Sequence, residues 1–234
     1  GLEFSFKWSM GWMHDFCNYM KLDPYFRKNA HHQMTFAMSY NTSEKYILPL
    51  SHDEVVHLKC SMVEKMPGYK TDKYANLRAG YAYMFGHAGK KLLFMGQDFG
   101  QEREWSEARE LDWFLLKEDL NRGLKAYVSD LLELYNEYPC LYRYDHSWDG
   151  FEWINADDMD RSIYSFMRKD NGKKEILFVM NMTPVERKSY RVGVPRAGSY
   201  KKLIDSCEKK YAGAGSEVKK SLTAVKGACD KRDF

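Results

Sequence analysis

The sequence predicts a mixed fold, an α/β segment followed by an all-β segment. Up to Pro139, helical stretches alternate with short continuous apolar runs. From Phe151 onward, short strand-like runs follow one another, separated by turn residues. Strands alternating with helices indicate a parallel sheet with helical crossovers, whereas strands joined by turns alone pair antiparallel.

Trp12, Met13, Phe16, Tyr19 and Met20 recur at helical spacing, and Asp23-Pro24 stops that helix. Tyr46-Ile-Leu-Pro-Leu50 has the composition of a strand buried on both faces. Pro49 cannot donate to a ladder and belongs at that strand's end. A helix over 72–85, capped by Asp72, packs Ala75, Ala79, Ala82 and Met84, and Gly86 and Gly89 end it. Residues 92–95 form a second buried strand. Leu124, Tyr127, Val128, Leu131, Leu134, Tyr135 and Tyr138 stripe a third helix, closed by Pro139. Two or three strand–helix units are too few for a closed eight-stranded barrel, which takes about 250 residues. In the all-β segment the candidate strands are 151–154, 162–167, 176–180, 189–192 and 200–204, with a hairpin turn at Asp170-Asn-Gly172. Residues 213–234 are polar and weakly patterned, and partial disorder is expected there.

Composition narrows the function. Of 234 residues, 44% are hydrophobic and 29% charged, as in ordinary globular proteins. No apolar run approaches the roughly 20 residues that span a bilayer, so no membrane partner is expected. The first residue is Gly1 and no signal pattern follows it, which reads as a fragment or a processed product. With 36 basic and 33 acidic residues the net charge is only +3. The pairs Lys173-Lys174 and Lys219-Lys220 read as solvated surface lysines, and no nucleic-acid partner is expected. Five cysteines, odd in number and without C-x-x-C spacing, fit reduced thiols in a cytoplasm. Aromatic content of 15% suits a packed core or a carbohydrate site, and composition alone does not separate the two.

Chemistry concentrates in Leu48-Pro-Leu-Ser-His-Asp-Glu-Val-Val-His57, where two carboxylates and two histidines follow a buried strand. At the carboxyl end of a parallel strand they occupy the place where barrel active sites are built. Spacing disfavours a metal. His52 and His57 do not fit H-E-x-x-H, and Glu54-x-x-His57 is half of a di-iron motif whose second copy is missing. A hydrogen-bonded polar loop and a carbohydrate site both stand. In the latter, a carboxylate stabilises an oxocarbenium-like transition state and a histidine donates to a sugar hydroxyl.

The same residues resemble the seventh-strand motif of the α-amylase superfamily, in the form found in bacterial glycogen branching enzymes. Further segments agree, in the family's order: Phe6-Lys-Trp-Ser-Met-Gly-Trp-Met-His-Asp15, Met20-Lys-Leu-Asp-Pro24, Lys91-Leu-Leu-Phe-Met-Gly-Gln-Asp-Phe-Gly100, Arg103-Glu-Trp105, Leu111-Asp-Trp113 and Gly150-Phe-Glu-Trp-Ile154. The resemblance covers about 1–213. It implies that residues 1–140 are the C-terminal part of a (β/α)₈ TIM barrel, and that 141–234 are an antiparallel β-sandwich lacking its final strand. It also implies a retaining transferase that cleaves an α-1,4-glucan, holds the glucan on an aspartate and passes it to a 6-hydroxyl. The substrate is then glycogen or amylose, and neither cofactor nor metal is needed. Asp53 matches the third catalytic carboxylate, which supports the transition state, and His52 matches the neighbouring substrate-binding histidine. Glu54 and His57 match family positions without an assigned step. The family's nucleophile and acid/base precede the segment that matches Gly1. The chain is therefore expected to be inactive without the N-terminal part of the enzyme.

Two residues depart from the family pattern. Leu58 stands where V-V-H-G-K has glycine, and Asp98 replaces the glutamate of F-M-G-x-E-F. Two rival readings are a non-catalytic glucan-binding fragment and an amylase-type hydrolase, which shares the His-Asp motif. Smaller features read plainly. His31-His32 is a surface turn, Asp157-Asp158-Met-Asp160 lacks the ligand spacing of a calcium loop, and Trp105 and Trp113 suit either glucan stacking or packing.

Overall fold

Helix α1 (Met10–Lys21) follows strand β1 (Lys7–Trp8) after one residue and buries the stripe expected from its periodicity. The computed structural model describes residues 3–172 and 174–234. The expectations attached to Gly1 and Lys173 lie outside them. Asp23 accepts the Tyr25 amide at 2.9 Å and opens a 3₁₀ stretch, Pro24–Ala30, which leads to the short helix α2 (His32–Thr35). Strand β2 (Tyr46–Leu50), helix α3 (Lys70–Gly86) and strand β3 (Lys90–Leu93) complete a parallel sheet of order β1-β2-β3. Helix α3 starts earlier than expected because Asp72 caps from inside it, accepting the Tyr69 amide at 3.0 Å. Strand β3 also ends before residues 94–95, since the chain turns at Gly96 (φ +85).

Pro49 is accommodated in the central strand by the parity of its ladder. The Lys45 and Ile47 carbonyls face β1 and accept from the Lys7 and Ser9 amides, whereas the Leu50 carbonyl faces β3 and accepts from Phe94. Pro49 has the parity of Lys45 and Ile47, so its missing donor falls beyond the last residue of β1. There the Ser9 carbonyl accepts from Met13 instead, at 3.1 Å, and begins α1.

Helix α4 (Asp119–Glu137) starts a turn earlier than expected and buries Leu124, Tyr127, Val128 and Leu131. At Gly123 a Cβ would lie 2.5 Å from the Tyr211 carbonyl, so glycine alone permits the close approach of the 209–211 turn. Strands β4 (Phe151–Asp158), β5 (Ile163–Arg168) and β6 (Ile176–Asn181) form an antiparallel sheet in that order. The turn expected at 170–172 is present, with Asn171 and Gly172 left-handed.

The C-terminal stretch departs from expectation. Residues 189–192 form no strand. Ser189 has φ +55, the Tyr190 hydroxyl donates to Asp158 at 2.7 Å, and the Gly193 amide donates to Asp230. Side-chain anchors take the place of a ladder. Strand β7 (Gly198–Lys201) stops before 202–204 and pairs with β8 (Ser221–Ala224), inside the stretch expected to be disordered. The ribbon is exposed on both faces, so its sequence carries no alternation to read.

The parallel sheet and the β4–β6 sheet share one core, which runs from Trp12 and Phe16 through Tyr83 to Tyr164 and Phe166. His31 is buried rather than on a surface turn, because its ring stacks on Tyr164 at 4.1 Å and its Nε2 meets the Ala156 carbonyl at 2.8 Å. Arg27, also buried, donates to the Met20 and Met182 carbonyls. At the C-terminus of α3, Arg168 donates to the carbonyls of Gly86, His87 and Gly150 and to Asp145. Beside it His87 is enclosed by Trp12, Tyr83 and Phe151.

Phe4, Phe6, Trp8 and Met10, in and around the edge strand β1, are all exposed, and unpaired edges associate. Expressed alone, the chain is expected to elute above monomer mass in light scattering, and Trp8→Lys to reduce that mass; a monodisperse monomer would contradict this. Burial pushes the His87 imidazole down to about 3, against about 6.5 in the unfolded chain. Between these values the unfolded chain binds a proton that the folded chain refuses, so stability falls as pH drops below about 6.5, by up to about 1.4 kcal/mol per pH unit. Urea titrations at pH 7, 6 and 5 are expected to show a shallower loss in His87→Phe; identical slopes would refute the assignment.

Candidate active site

Strand β2 ends at Leu50, and after Ser51 the chain turns at once into a 3₁₀ turn, His52–Glu54. This puts His52 and Asp53 at the carboxyl edge of the sheet's central strand. Their side chains are 49% and 52% exposed, and the next residue, Glu54, is buried. His52 Nε2 lies 3.1 Å from Asp53 Oδ1, and Ser51 Oγ is 3.4 Å from Asp53 Oδ2. The sequence thus placed the pair correctly at a strand end.

The neighbouring loop after β3 supplies a wall that sequence motifs only hinted at. Phe94 and Trp105 meet edge to face at 5.3 Å, and the His52 ring lies 5.9 Å from Phe94 and 6.4 Å from Trp105. Trp105 therefore borders the candidate site. Trp113 instead stacks on Phe99 at 5.2 Å. The loop is braced by Asp112, which accepts from Gln101 and Arg103, and the Arg103 guanidinium holds its carboxyl below the usual range. Asp98 pairs with Lys125 on α4, so its shorter side chain still reaches a cation.

On the other side of Asp53, Lys59 Nζ donates to the Asp53 carbonyl at 2.8 Å and pairs with Glu54 at 3.4 Å. His57 stands on the loop beyond and is exposed. Among the described residues no group of three or more His, Cys, Asp or Glu side chains is placed to hold a metal ion, and no helix is long and apolar enough to cross a membrane.

Leu58 has φ +66 and a side chain open to solvent. A left-handed conformation costs an L-residue roughly 1–2 kcal/mol. This explains why glycine suits the position. Leu58→Gly is expected to stabilise the fold by about 0.5–1 kcal/mol after the entropy of glycine in the unfolded chain is counted. Denaturant titration reads this directly, and a net destabilisation would show that the leucine packs.

Comparison with known proteins extends the reading beyond the motif. The family described as the alpha amylase C-terminal all-beta domain matches residues 153–233. A 1,4-alpha-glucan branching enzyme of Butyrivibrio fibrisolvens is 72% identical over 100% of this chain and 37% of its own length. One from Pseudomonas fluorescens is 49% identical over 92% of this chain and 29% of its own, and one from Clostridium perfringens 47% identical over 100% and 35%. Crystal structures of alpha-amylases resemble the fold at much lower identity. That from Lactobacillus plantarum has a TM-score of 0.54 at 16% identity, covering 94% of this chain and 45% of the other. That from H. orenii has a TM-score of 0.50 at 13% identity, covering 76% and 39%. The chain is thus similar to 1,4-alpha-glucan branching enzymes over nearly all of its length, and it spans about a third of theirs.

Proposed function

We propose that this chain is a working part of a glycogen branching enzyme, with Asp53 as its third carboxylate. The observation that carries the reading is the His52–Asp53 pair at the carboxyl edge of the central parallel strand, within a sequence 72% identical to a branching enzyme. On this reading residues 1–140 are the C-terminal part of a (β/α)₈ barrel, and 141–234 belong to an antiparallel β-sandwich. The substrate is an α-glucan such as glycogen or amylose, in a cytoplasm, and no cofactor takes part.

The chemistry is double displacement. A nucleophilic carboxylate attacks the anomeric carbon, the α-1,4 bond breaks, and an acid gives its proton to the departing 4-oxygen. The same group then takes the proton of an incoming 6-hydroxyl, which displaces the carboxylate and forms the α-1,6 bond. Nucleophile and acid must stand about 5 Å apart, and both come from outside this chain. Asp53 accepts hydrogen bonds from sugar hydroxyls and lowers the energy of the positively charged ring as the bond opens. His52, whose Nε2 lies 3.1 Å from Asp53 Oδ1, offers its other ring nitrogen, Nδ1, to a neighbouring sugar hydroxyl. The Phe94–Trp105 wall limits how far the His52 ring can turn.

The test is a chimera in which residues 1–234 replace the matching stretch of the Butyrivibrio fibrisolvens relative. Asp53→Ala is expected to cut formation of α-1,6 branch points on amylose by about 10²–10³-fold with the fold intact. The unassisted chain is expected to form none. Near-normal branching by the variant, or branching by the chain alone, refutes the proposal; reducing ends released without new branches would mark a hydrolase.

A further inference from the structure

The loop that leaves Asp53 is unusual in its backbone. His57, Leu58 and Cys60 have φ of +57, +66 and +66, and none is glycine. Such a run persists only where surrounding contacts hold it. Two of these three residues are held by one side chain of the neighbouring loop. The Leu58 amide donates to Glu104 Oε2 at 3.1 Å, and the Cys60 amide to Glu104 Oε1 at 2.7 Å. Each carboxylate oxygen takes one amide. The next residue, Trp105, donates its own amide to the Val55 carbonyl at 3.0 Å. The loop after β3 therefore grips the loop after β2 at three backbone points between Val55 and Cys60.

The grip reaches Asp53 through Lys59. Lys59 lies between the two amides that Glu104 holds, and its ammonium folds back to the Asp53 carbonyl and the Glu54 carboxylate. Lys65 in turn donates to the Lys59 carbonyl. If the Leu58 and Cys60 amides were released, the left-handed residues would relax, and Lys59 would no longer be aimed at Asp53. Trp105, adjacent in sequence, would be freed to move away from His52.

We infer that Glu104 is a positioning residue, which fixes the backbone from which His52 and Asp53 project. The amides of Cys60 and Leu58 also hold its carboxyl below the usual carboxylate range, so it stays charged and accepting at neutral pH. The inference rests on the branching reading for its effect on turnover, but the grip itself stands on geometry.

The experiment uses the chimera described above. Glu104→Ala is expected to lower branching kcat about 10-fold, as a small displacement of a reacting group does, with little change in KM or thermal midpoint. Glu104→Gln keeps one acceptor oxygen and is expected to lose less. In a Leu58→Gly background the left-handed turn needs less support, so the Glu104→Ala loss is expected to shrink. Full kcat in Glu104→Ala, or equal losses in both backgrounds, overturns the role. A variant that unfolds would equally count against it, unless Glu104→Gln folds and shows the graded loss. Amide exchange reads the grip without activity, with Leu58 and Cys60 expected to exchange faster in Glu104→Ala; unchanged exchange overturns it. If Asp53→Ala keeps full activity, the branching assignment of the site fails, and exchange still decides the grip.

Discussion

The Arg168 guanidinium is the joint on which the rest of the molecule is built. It has no exposed surface, and its donors reach the carbonyls of Gly86 and His87 at the end of α3, the Gly150 carbonyl before β4, and the Asp145 carboxylate. A cation at a helix C-terminus is favoured by the dipole, and the planar fork of arginine matches several acceptors at once. Asp145 also pairs with Lys90, the first residue of β3, at 3.0 Å, and its carbonyl accepts from Asn41. Removing one member would leave buried charge uncompensated, at a cost of about 3–5 kcal/mol. The pairing thus joins the parallel sheet to the antiparallel one and sets where β3 begins.

The start of β3 matters because of what stands at its other end. β3 is in register with β2 from Ile47↔Lys90 to Leu50↔Leu93. That register brings Phe94 beside His52 and sends residues 101–112 back over the Asp53 loop. At Gly86 a Cβ would lie 2.7 Å from the Phe178 ring, so the helix end presses directly on the antiparallel sheet. Chemistry at the carboxyl edge of the parallel sheet is in this way tied to packing far from it.

How much of this was legible depends on how far apart in sequence the determining groups lie. Helix α1, strand β2 and the β4–β6 strands were readable because periodicity and turn residues are local. The His52–Asp53 pair was readable because a strand end and its functional residues are contiguous. His31 reads as a surface residue in sequence because its partners, Tyr164 and Ala156, lie more than a hundred residues away. Nothing around Arg168 announces its acceptors at Gly86 and His87. The 189–192 run alternates like a strand, yet the Tyr190 hydroxyl ties it to Asp158, and the amide that follows, Gly193, donates to Asp230 instead of to a ladder. Leu58 departs from the glycine of the motif, but only the backbone shows why glycine suits that place. Glu104 was visible as part of Arg103-Glu-Trp105 without any sign that its carboxylate closes on two amides.

The exposure of Asp53 bears on how its chemistry would be switched on. A histidine–aspartate pair half open to water is worth little, at most about 1 kcal/mol, because solvent screens it. The same pair enclosed by further strands and a bound sugar would act in a lower dielectric, where charge stabilisation is several times stronger. On the proposed reading the positions of His52 and Asp53 are therefore supplied by this chain, through Glu104, Lys59 and the aromatic wall, while the enclosing walls come from the rest of the enzyme. Position set in advance is the part of such catalysis that a protein segment can carry alone, because donors already in place need no reorganisation when the glucan arrives.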